Sequence, residues 1–545
     1  MDRTQKRVII LLLFFSISLS AKELSIDFFA DKPRSFIKDF YISQYLDTDI
    51  KPQDARELLT QVNNLNLRLF YKFADKVDDF SFTRVKYCLK LKPEFFEGKT
   101  PDCIAMGLTP FKATKLEPKK LINISTSIKN KYPLHTQKYR LIATRSFEKL
   151  FESNNSLLIS TFNSVGKTFR QTYLNHPIPE SKLQSLTQTK AFSSMVVTII
   201  RDPKLEKLQK SILKIDSSAL SSDANFLLAL NAINQNRDDI ALWYLKLAQK
   251  YARLQFDKDK ALFWQYLLNK DKALLQELIK SKSINIYTLY AYETLGLKPK
   301  GILTTVGAKN QKAPFDATDP FAWLKVKANF KNQKYKNYEA KKIAALKLNS
   351  NDTEAHVARL IYKFSLNQHY FLMPHFKYLS QLPKNKAAII LAIARQESRF
   401  IPTAVSYSYA LGIMQFMPYV AKDIAKKNGL KDFKYEDLFD TKIAYKFADI
   451  HLNFLEKSLY HPLFIAYAYN AGIGFTRRQI LQKEYFKEGK YEPFYSLEMI
   501  PNSQARKYGK KVLANYVVYA KILGEDITLK ALLDTLKPPH RNHRF

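Results

Sequence analysis

One spacing recurs along the first half of this chain: apolar residues at positions i, i+3, i+4 and i+7, the pattern of a helix with one buried face. Two segments show it: Ala55, Leu58, Leu59 and Val62 after Pro52, and Phe226, Ala229, Leu230 and Ile233 after Asp223. A third segment has the same helical period at i, i+4, i+7 and i+11: Ala241, Leu245, Ala248 and Ala252 after Asp238 and Asp239. Pro52 suits a first helical turn and the aspartates suit N-caps. Only 13 glycines occur in 545 residues, which disfavours a turn-rich β architecture. The sequence therefore predicts an all-α protein.

The chain is too long for one hydrophobic core, so several domains are expected. Short helices joined by polar turns predict stacked helical hairpins, an α-solenoid, although no strict repeat period is present. Glycines and prolines crowd between Gly296 and Pro320, and helical spacing resumes at Phe321 and continues to about Leu366. We therefore predict a solenoid over residues 22–316, a small helical linker domain over 317–369 and a C-terminal domain over 370–545.

Residues 1–21 have the layout of a secretory signal peptide. Basic residues precede an apolar run from Val8 to Phe15, which is too short to span a bilayer comfortably. An uncleaved anchor is the alternative reading. No cysteine lies near the expected cleavage point at Ser20 or Ala21, so a lipoprotein anchor has no attachment residue. We expect a soluble protein exported to the periplasm.

The chain has two cysteines, Cys88 and Cys103. In an exported protein, two cysteines so close in sequence are expected to pair, and two buried free thiols are the alternative. Closing such a short loop stabilises a fold by roughly 3 kcal/mol in the chain-entropy description.

Metal sites are not predicted. The nine histidines show no metal-binding spacing with the cysteines, and neither the zinc-protease pattern nor a calcium loop is present. The acidic segment from Asp432 to Asp440 lacks the calcium-loop spacing and its glycine, so helix capping is the better interpretation. We therefore expect no metal and no cofactor.

The formal net charge is +37, which favours anionic partners such as nucleic acid, a membrane surface or a carboxylate-bearing polymer. Export argues against nucleic acid. A lysine-rich source proteome is the alternative explanation, and one sequence leaves it open.

An almost wholly apolar run ends at Glu397. Ile390, Ile393 and Ala394 lie seven, four and three positions earlier, so they share its helix face. Burial there disfavours the charged carboxylate and raises its pKa, as a general acid near neutral pH requires. The segment alone also fits an ordinary surface glutamate paired with a neighbouring arginine.

Three later segments place polar residues at turns and helix ends. They are Gly412-Ile413-Met414-Gln415, before a helix expected to start at Pro418; Ala468-Tyr469-Asn470-Ala471-Gly472, at a helix end closed by glycine; and Ile500-Pro501, followed by Arg506 and Tyr508. Gln415 is positioned for its amide to bind a polar substrate, and Tyr469 and Asn470 are expected to face outward from the helix end.

Together with Glu397-Ser398, these segments resemble the lytic murein transglycosylases, of the soluble type with a large helical N-terminal domain. The resemblance covers residues 370–525 well, and before them it rests on helical character and domain order. It implies a lysozyme-like α-helical catalytic domain that cleaves the β-1,4 bond between N-acetylmuramic acid and N-acetylglucosamine in peptidoglycan. It also implies that no water is added and that a 1,6-anhydro sugar results.

The resemblance further implies residue roles. Glu397 acts as the single acid and then base, and Tyr469 hydrogen-bonds and orients it. The residues implied to contact sugars or shape the cleft are Ser398, Met414, Gln415, Asn470, Gln504, Arg506 and Tyr508. Packing around the pocket is the alternative role, above all for Met414 and Tyr508.

Two departures from the family pattern stand out. Gln504-Ala505-Arg506 replaces the common Glu-Thr-Arg, which puts any role of that family glutamate in doubt. Ile413 replaces the usual leucine, a volume-conserving change.

Two other functions stay open. One is a lysozyme-like hydrolase of peptidoglycan on the same fold. The other is a non-catalytic peptidoglycan-binding scaffold, for which Gln504-Ala505 is the only hint. In each case we expect a monomer that binds peptidoglycan glycan strands and no nucleic acid, and protein partners in cell-wall synthesis or secretion are compatible with it.

Overall fold

The computed structural model of the chain describes residues 24–189, 191–362, 368–482 and 485–536. The predicted signal peptide, residues 1–21, lies outside these described residues. The chain forms two compact units, the first ending at Asp79 and the second beginning at Phe80. Helices make up nearly all the regular structure of the described part, which confirms the all-α prediction.

The first unit is helical throughout its described residues. Its α-helices are α1 (Phe36–Tyr45), α2 (Pro52–Gln61) and α3 (Leu67–Ala74). Pro52 is the first residue of α2, as predicted, because a residue at that position has no use for a backbone N–H. Ala55 and Leu58, from the predicted apolar face, are fully buried.

The second unit begins with a long succession of short helices. They are α4 (Phe80–Lys90), α5 (Pro101–Gly107), α6 (Pro110–Ala113), α7 (Pro118–Ser127), α8 (Pro133–Thr144), α9 (Phe147–Glu152), α10 (Asn155–Ser164), α11 (Lys167–Tyr173), α12 (Glu180–Thr187), α13 (Phe192–Ile200), α14 (Glu206–Ser211), α15 (Ser222–Asn234), α16 (Asp238–Tyr251), α17 (Gln255–Asn269), α18 (Lys272–Leu278) and α19 (Ile286–Thr294). Helices adjacent in sequence pack on each other, as α15 does on α16 and α16 on α17. This is the arrangement expected of stacked helical hairpins.

The predicted N-caps of α15 and α16 are wrong. Ser221 caps α15, since its hydroxyl accepts a hydrogen bond from the Ala224 backbone N–H at 3.2 Å, and Asp223 lies inside the first turn. Helix α16 begins at Asp238 itself, with Arg237 at the capping position. These aspartates still favour the helices, because negative charge in a first turn complements the helix dipole.

Cys88 of α4 and Cys103 of α5 form a disulfide bond, with their Cα atoms 5.2 Å apart. The bond therefore joins two consecutive helices near the start of the second unit. Further along, Tyr244, Phe263 and Trp264 are fully buried, so these aromatic residues belong to the core.

The glycine- and proline-rich stretch after α19 has no helix among its described residues. Within it a two-residue strand, β1 (Ile302–Leu303), pairs in parallel with β2 (His369–Tyr370). Between the strands lie α20 (Ala322–Asn332), α21 (Tyr338–Leu346) and α22 (Glu354–Ile361). The strand pair thus ties the start of this helical segment to the chain that follows it.

The last part of the second unit is built around one long helix. Its helices are α23 (Lys384–Glu397), α24 (Pro418–Lys427), α25 (Thr441–Glu456), α26 (Pro462–Ala471), α27 (Ile473–Phe475), α28 (Phe494–Met499), α29 (Ser503–Ile522) and α30 (Leu529–Asp534). Helix α29 packs against both α23 and α26. A Cβ atom at Gly509 of α29 would lie 2.3 Å from Cε1 of Tyr467 in α26, so this close approach requires glycine.

Two local predictions in this part are confirmed. Pro418 is the first residue of α24. Asp440 caps α25, because its carboxylate accepts hydrogen bonds from the backbone N–H groups of Lys442 and Ile443. The acidic segment therefore serves helix capping at its last residue.

Candidate active site

Glu397 is the last residue of α23, a helix in which every residue from Ala387 to Arg395 is buried. Ile390, Ile393 and Ala394 are fully inaccessible to solvent. Burial raises the pKa of the Glu397 carboxyl to about 7. The group is therefore poised to hold or release a proton near neutral pH, as the apolar face of the helix predicted.

Tyr508 of α29 holds this carboxyl. Its hydroxyl donates a hydrogen bond to Oε1 of Glu397 at 2.6 Å, and this bond opposes the effect of burial by lowering the pKa of Glu397. Burial and the neighbouring Glu397 raise the pKa of Tyr508 well above its ordinary value. The tyrosine therefore stays protonated and remains a donor.

The orienting role that the resemblance implied for Tyr469 belongs in this structure to Tyr508. The Tyr469 hydroxyl donates instead to the backbone carbonyl of Met414 at 2.8 Å. The reason is geometric. Tyr508 lies on α29, which packs directly on α23, whereas Tyr469 lies in the last turn of α26 and its hydroxyl reaches the turn that contains Met414. Tyr469 therefore fixes a wall of the site rather than the carboxyl.

The turn from Leu411 to Phe416 forms that wall. Leu411 and Phe416 exchange two backbone hydrogen bonds of 2.9 and 3.0 Å, which close a tight loop. Gly412 adopts a φ of +76°, and a Cβ atom there would lie 2.0 Å from the carbonyl oxygen of Leu438. Glycine is therefore required both by the backbone conformation and by the lack of space.

Gln415 stabilises this turn from within. Its side-chain Nε2 donates to the carbonyls of Ala404 at 3.0 Å and Gly412 at 2.9 Å. Its Oε1 has no hydrogen-bond partner among residues 24–189, 191–362, 368–482 and 485–536. The Gln415 amide was predicted to bind substrate. Its Nε2 is used within the fold, and its Oε1 remains available as an acceptor.

Ser398 and Asn470 frame the same site. The Ser398 hydroxyl donates to the carbonyl of Ile413 at 2.8 Å, so it ties the end of α23 to the turn. Asn470 is half-buried in the last turn of α26, next to the helix end at Gly472, whose φ is +88°. Within the described part of the chain its side chain has no hydrogen-bond partner, which leaves its amide available.

Three other predicted contact residues lie differently. Met414 is fully buried and packs in the core, which was the alternative considered for it. Arg506 is buried and its guanidinium donates to the carbonyl of Ile500 at 2.5 Å, so it holds the bend before α29 rather than facing a groove. Gln504 is exposed to solvent at the start of α29.

Sequence reasoning missed one buried carboxyl in this domain, Glu498 of α28. It is 2% exposed, and its carboxylate lies 2.6 Å from Nζ of Lys510. Another partner, Tyr287, is 211 positions earlier in the chain, so no local spacing could reveal the site. The only available signal was a glutamate inside an otherwise apolar helical segment.

Among the described residues, no group of three or more histidine, cysteine, aspartate or glutamate side chains is arranged to hold a metal ion. The same part of the chain contains no helix that is long and apolar enough to cross a membrane.

Comparison with known families gives a match to the Transglycosylase SLT domain over residues 375–492. A putative soluble lytic murein transglycosylase of Haemophilus influenzae is 35% identical over 134 residues, which cover 24% of this chain and 22% of that protein. The soluble lytic murein transglycosylase of Escherichia coli K12 is 30% identical over 151 residues, 27% of this chain and 22% of that protein. The matched segment thus spans about a fifth of the length of these curated relatives.

Solved structures were also compared. The 70-kDa soluble lytic transglycosylase of Escherichia coli aligns with a TM-score of 0.47 and 15% identity, covering 95% of this chain and 85% of that one. An inactive mutant of the lytic transglycosylase Slt from Pseudomonas aeruginosa aligns with a TM-score of 0.45 and 16% identity, covering 91% and 82%. The family match and the curated relatives confirm the resemblance to soluble lytic murein transglycosylases for the C-terminal segment.

Proposed function

We propose that this protein, whose residues 375–492 match the Transglycosylase SLT domain, is a lytic transglycosylase that cleaves the β-1,4 bond between N-acetylmuramic acid and N-acetylglucosamine in peptidoglycan. One observation carries the proposal. Glu397 lies within the matched residues 375–492, burial raises the pKa of its half-buried carboxyl to about 7, and the Tyr508 hydroxyl holds it by a hydrogen bond. A carboxyl in that state can donate a proton near neutral pH.

The proposed chemistry uses Glu397 twice. In the first step the protonated carboxyl gives its proton to the glycosidic oxygen, and the bond from that oxygen to C1 of the muramic acid breaks. The substrate's own N-acetyl group meets the positive charge that develops at C1. In the second step the Glu397 carboxylate removes the proton of the C6 hydroxyl, whose oxygen bonds to C1. The result is a 1,6-anhydro sugar, and the carboxyl is protonated again.

A single carboxyl fits this route better than the two-carboxylate route of ordinary glycosidases. Among the residues of the family-like segments, Glu397 is the one carboxyl, and burial and the Tyr508 hydrogen bond set its pKa. An inverting or retaining hydrolase would need a second carboxylate as base or nucleophile.

The groups proposed to contact sugar follow from unused hydrogen-bonding capacity. Oε1 of Gln415 and the side-chain amide of Asn470 lack partners in the described part of the chain. Gln415 lies in the turn to which Ser398 and Tyr469 are hydrogen-bonded, and Asn470 follows Tyr469 in α26. Gln504 is exposed at the start of α29. Ser398 and Tyr469 act by fixing the shape of the site through their bonds to Ile413 and Met414.

We also propose the setting of this activity. Export by residues 1–21 would place the enzyme in the periplasm, where peptidoglycan lies. The solenoid over 22–316 and the linker domain over 317–369 would then guide glycan strands toward the catalytic domain over 370–545. The excess of positive charge suits carboxylate-bearing peptide stems and predicts salt-sensitive binding.

The test is product analysis by mass spectrometry after digestion of purified peptidoglycan. Products with 1,6-anhydro ends, each lighter by one water than the hydrolysed sugar, are expected. Reducing-end sugars as the main product would contradict the proposal in favour of a hydrolase. Binding without any cleavage would favour the scaffold. A time course on intact sacculi distinguishes endo from exo action, since endo cleavage releases long chains early.

A further inference from the structure

A buried ion pair joins α28 to the first half of α29, close to the residue that holds Glu397. Nζ of Lys510 is 2.6 Å from both carboxylate oxygens of Glu498, and each residue is 2% exposed. Burial alone would raise the pKa of Glu498, but the positive charges of Lys510 and Lys260 lower it. The pair is therefore ionised at neutral pH.

The α-helices of the N-terminal part of the second unit complete this pair. The Tyr287 hydroxyl, from α19, donates a hydrogen bond to Oε1 of Glu498 and accepts one from Nζ of Lys510 at 3.2 Å. Arg201, which follows α13, donates to the backbone carbonyl of Glu498. Tyr287 and Arg201, both far from Glu498 in sequence, thus bind its side chain and its backbone respectively.

Stability does not explain such a pair by itself. Taking two charges out of water costs several kcal/mol per ion, and apolar residues of similar volume often serve as well or better. What a hydrogen-bonded buried pair supplies is a fixed geometry, because its bonds are satisfied in one arrangement. The element fixed here is the bend from α28 into α29.

The geometry of that bend reaches Glu397 through α29. Tyr508 lies two residues before Lys510 on the same helix, and Gly509 between them packs on the ring of Tyr467, closer than any side chain would allow. Arg506 secures the bend by its 2.5 Å bond to the carbonyl of Ile500. A small shift of α29 would therefore lengthen the 2.6 Å bond from Tyr508 to Glu397.

We propose that Tyr287, Glu498 and Lys510 form a positioning cluster that seats α29 so that the Tyr508 hydroxyl reaches Glu397. Through Tyr287, the N-terminal helices then set the state of the candidate catalytic carboxyl. The cluster touches no substrate in this account, and its role is inferred for the reaction proposed above, on which it rests.

The direction of the effect follows from the contacts of each group. Tyr508 and Tyr469 are the titratable groups beside Glu397, and the bond from Tyr508 lowers the pKa of that carboxyl. Loss of this bond should therefore move the pKa of Glu397 upward. Around Glu498 the charged neighbours are Lys510, Lys260, Arg201 and Arg506. Tyr287→Phe removes none of these charges, and Lys510 loses only its hydrogen bond to the Tyr287 hydroxyl.

The experiment compares three tyrosine-to-phenylalanine variants of the full chain. Tyr287→Phe removes the hydroxyl of the cluster, and Tyr508→Phe removes the bond to Glu397 directly. Tyr292→Phe is the matched control, because Tyr292 lies on the same helix α19 and its hydroxyl donates to the carbonyl of Ile279. Measurements are the pH profile of peptidoglycan cleavage, the thermal midpoint, and amide hydrogen exchange of α29.

We expect Tyr287→Phe to lower cleavage at pH 7 by about 10- to 100-fold, the scale of a small misplacement of a catalytic group. The alkaline limb of the pH profile of cleavage should move to higher pH in Tyr287→Phe, as it should in Tyr508→Phe. Amide hydrogen exchange in the first half of α29 should become faster. Tyr292→Phe should change neither the limb nor the exchange.

A Tyr287→Phe profile and exchange pattern that match those of Tyr292→Phe would overturn the inference. The inference would also be overturned if Tyr287→Phe lost cleavage while the alkaline limb of its pH profile and the amide exchange of α29 stayed unchanged. The Tyr287 hydroxyl would then act on cleavage by another route. If the wild-type chain cleaves no peptidoglycan, the proposed function fails, but amide hydrogen exchange in α29 still tests the inference. Faster exchange in Tyr287→Phe than in Tyr292→Phe supports the inference. Equal exchange in these two variants overturns it.

Discussion

Glu397 and Glu498 are two carboxyls of the second unit, one half-buried and one fully buried, and their surroundings give them opposite pKa shifts. Glu397 has an apolar helix face and one tyrosine hydroxyl, and burial raises its pKa to about 7. Glu498 is more deeply buried, yet the charges of Lys510 and Lys260 outweigh burial and lower its pKa to about 2. Burial therefore does not determine what a carboxyl does, and the charge of its neighbours does.

Both carboxyls depend on the same helix. Tyr508 and Lys510 lie two positions apart on α29, and they bind Glu397 and Glu498 respectively. One helix thus presents a neutral hydrogen-bond donor to Glu397, the carboxyl that we propose exchanges a proton, and a cation to Glu498, the carboxyl that is ionised. The following predictions test this contrast, beginning with the largest effect.

Glu397→Gln should lower the rate of peptidoglycan cleavage by at least about 10²- to 10⁴-fold, because the amide cannot transfer the proton. The fold should persist, since the amide oxygen can still accept the Tyr508 hydrogen bond. Cleavage assays and circular dichroism on the purified variant check both parts. Cleavage close to the wild-type rate would show that the proton comes from another group.

Glu498→Gln should lower the free energy of unfolding by about 3–5 kcal/mol at pH 7, because it leaves Lys510 buried without its counter-charge. This stabilisation by Glu498 is present above the ordinary glutamate pKa and is lost as the pH falls toward about 2. In denaturant titrations the difference between wild type and variant should therefore be smaller at pH 3 than at pH 7.

Glu397→Gln supplies the opposite control in the same titrations. A raised pKa stabilises the folded state below the ordinary glutamate value and this contribution is lost as the pH rises to about 7. The wild type should lose roughly 3 kcal/mol relative to Glu397→Gln across that window. If both variants changed with pH in the same direction, the contrast between the two carboxyls would be wrong.

The turn facing Glu397 gives a smaller effect. Gly412→Ala places a Cβ atom 2.0 Å from the carbonyl of Leu438, whereas Gly429→Ala meets nothing within 4 Å, although both glycines have positive φ. Both variants bear the backbone strain, and only the first adds a steric clash, which typically costs about 1–3 kcal/mol. Thermal or denaturant unfolding compares them, and an equal loss in both would mean that the turn yields easily.

The sequence predicted the features that depend on local spacing. The apolar face below Glu397, the start of α24 at Pro418 and the capping by Asp440 all follow from positions a few residues apart. The cap of α15 was missed because Ser221 and Asp223 are both good caps and the helix begins earlier than expected.

Features that depend on tertiary packing could not be predicted. Tyr469 and Tyr508 both occur in the sequence segments that resemble the family. Only the packing of α29 on α23 decides which of the two hydroxyls reaches Glu397. Arg506 was predicted to contact substrate, but its guanidinium is buried and bonds to the carbonyl of Ile500 at the bend before α29. Glu498 has a partner 211 positions away, so its importance appears only when α19 and α28 meet.

The most direct test of the central claim is the pH dependence of peptidoglycan cleavage by the wild-type chain. If Glu397 donates the proton from a buried, Tyr508-held site, the rate should fall above about pH 7 along a curve that fits the loss of one proton. A rate that already falls near pH 4.5, the ordinary value for a glutamate, or that stays level to pH 9, would contradict the assignment of Glu397 as the proton donor.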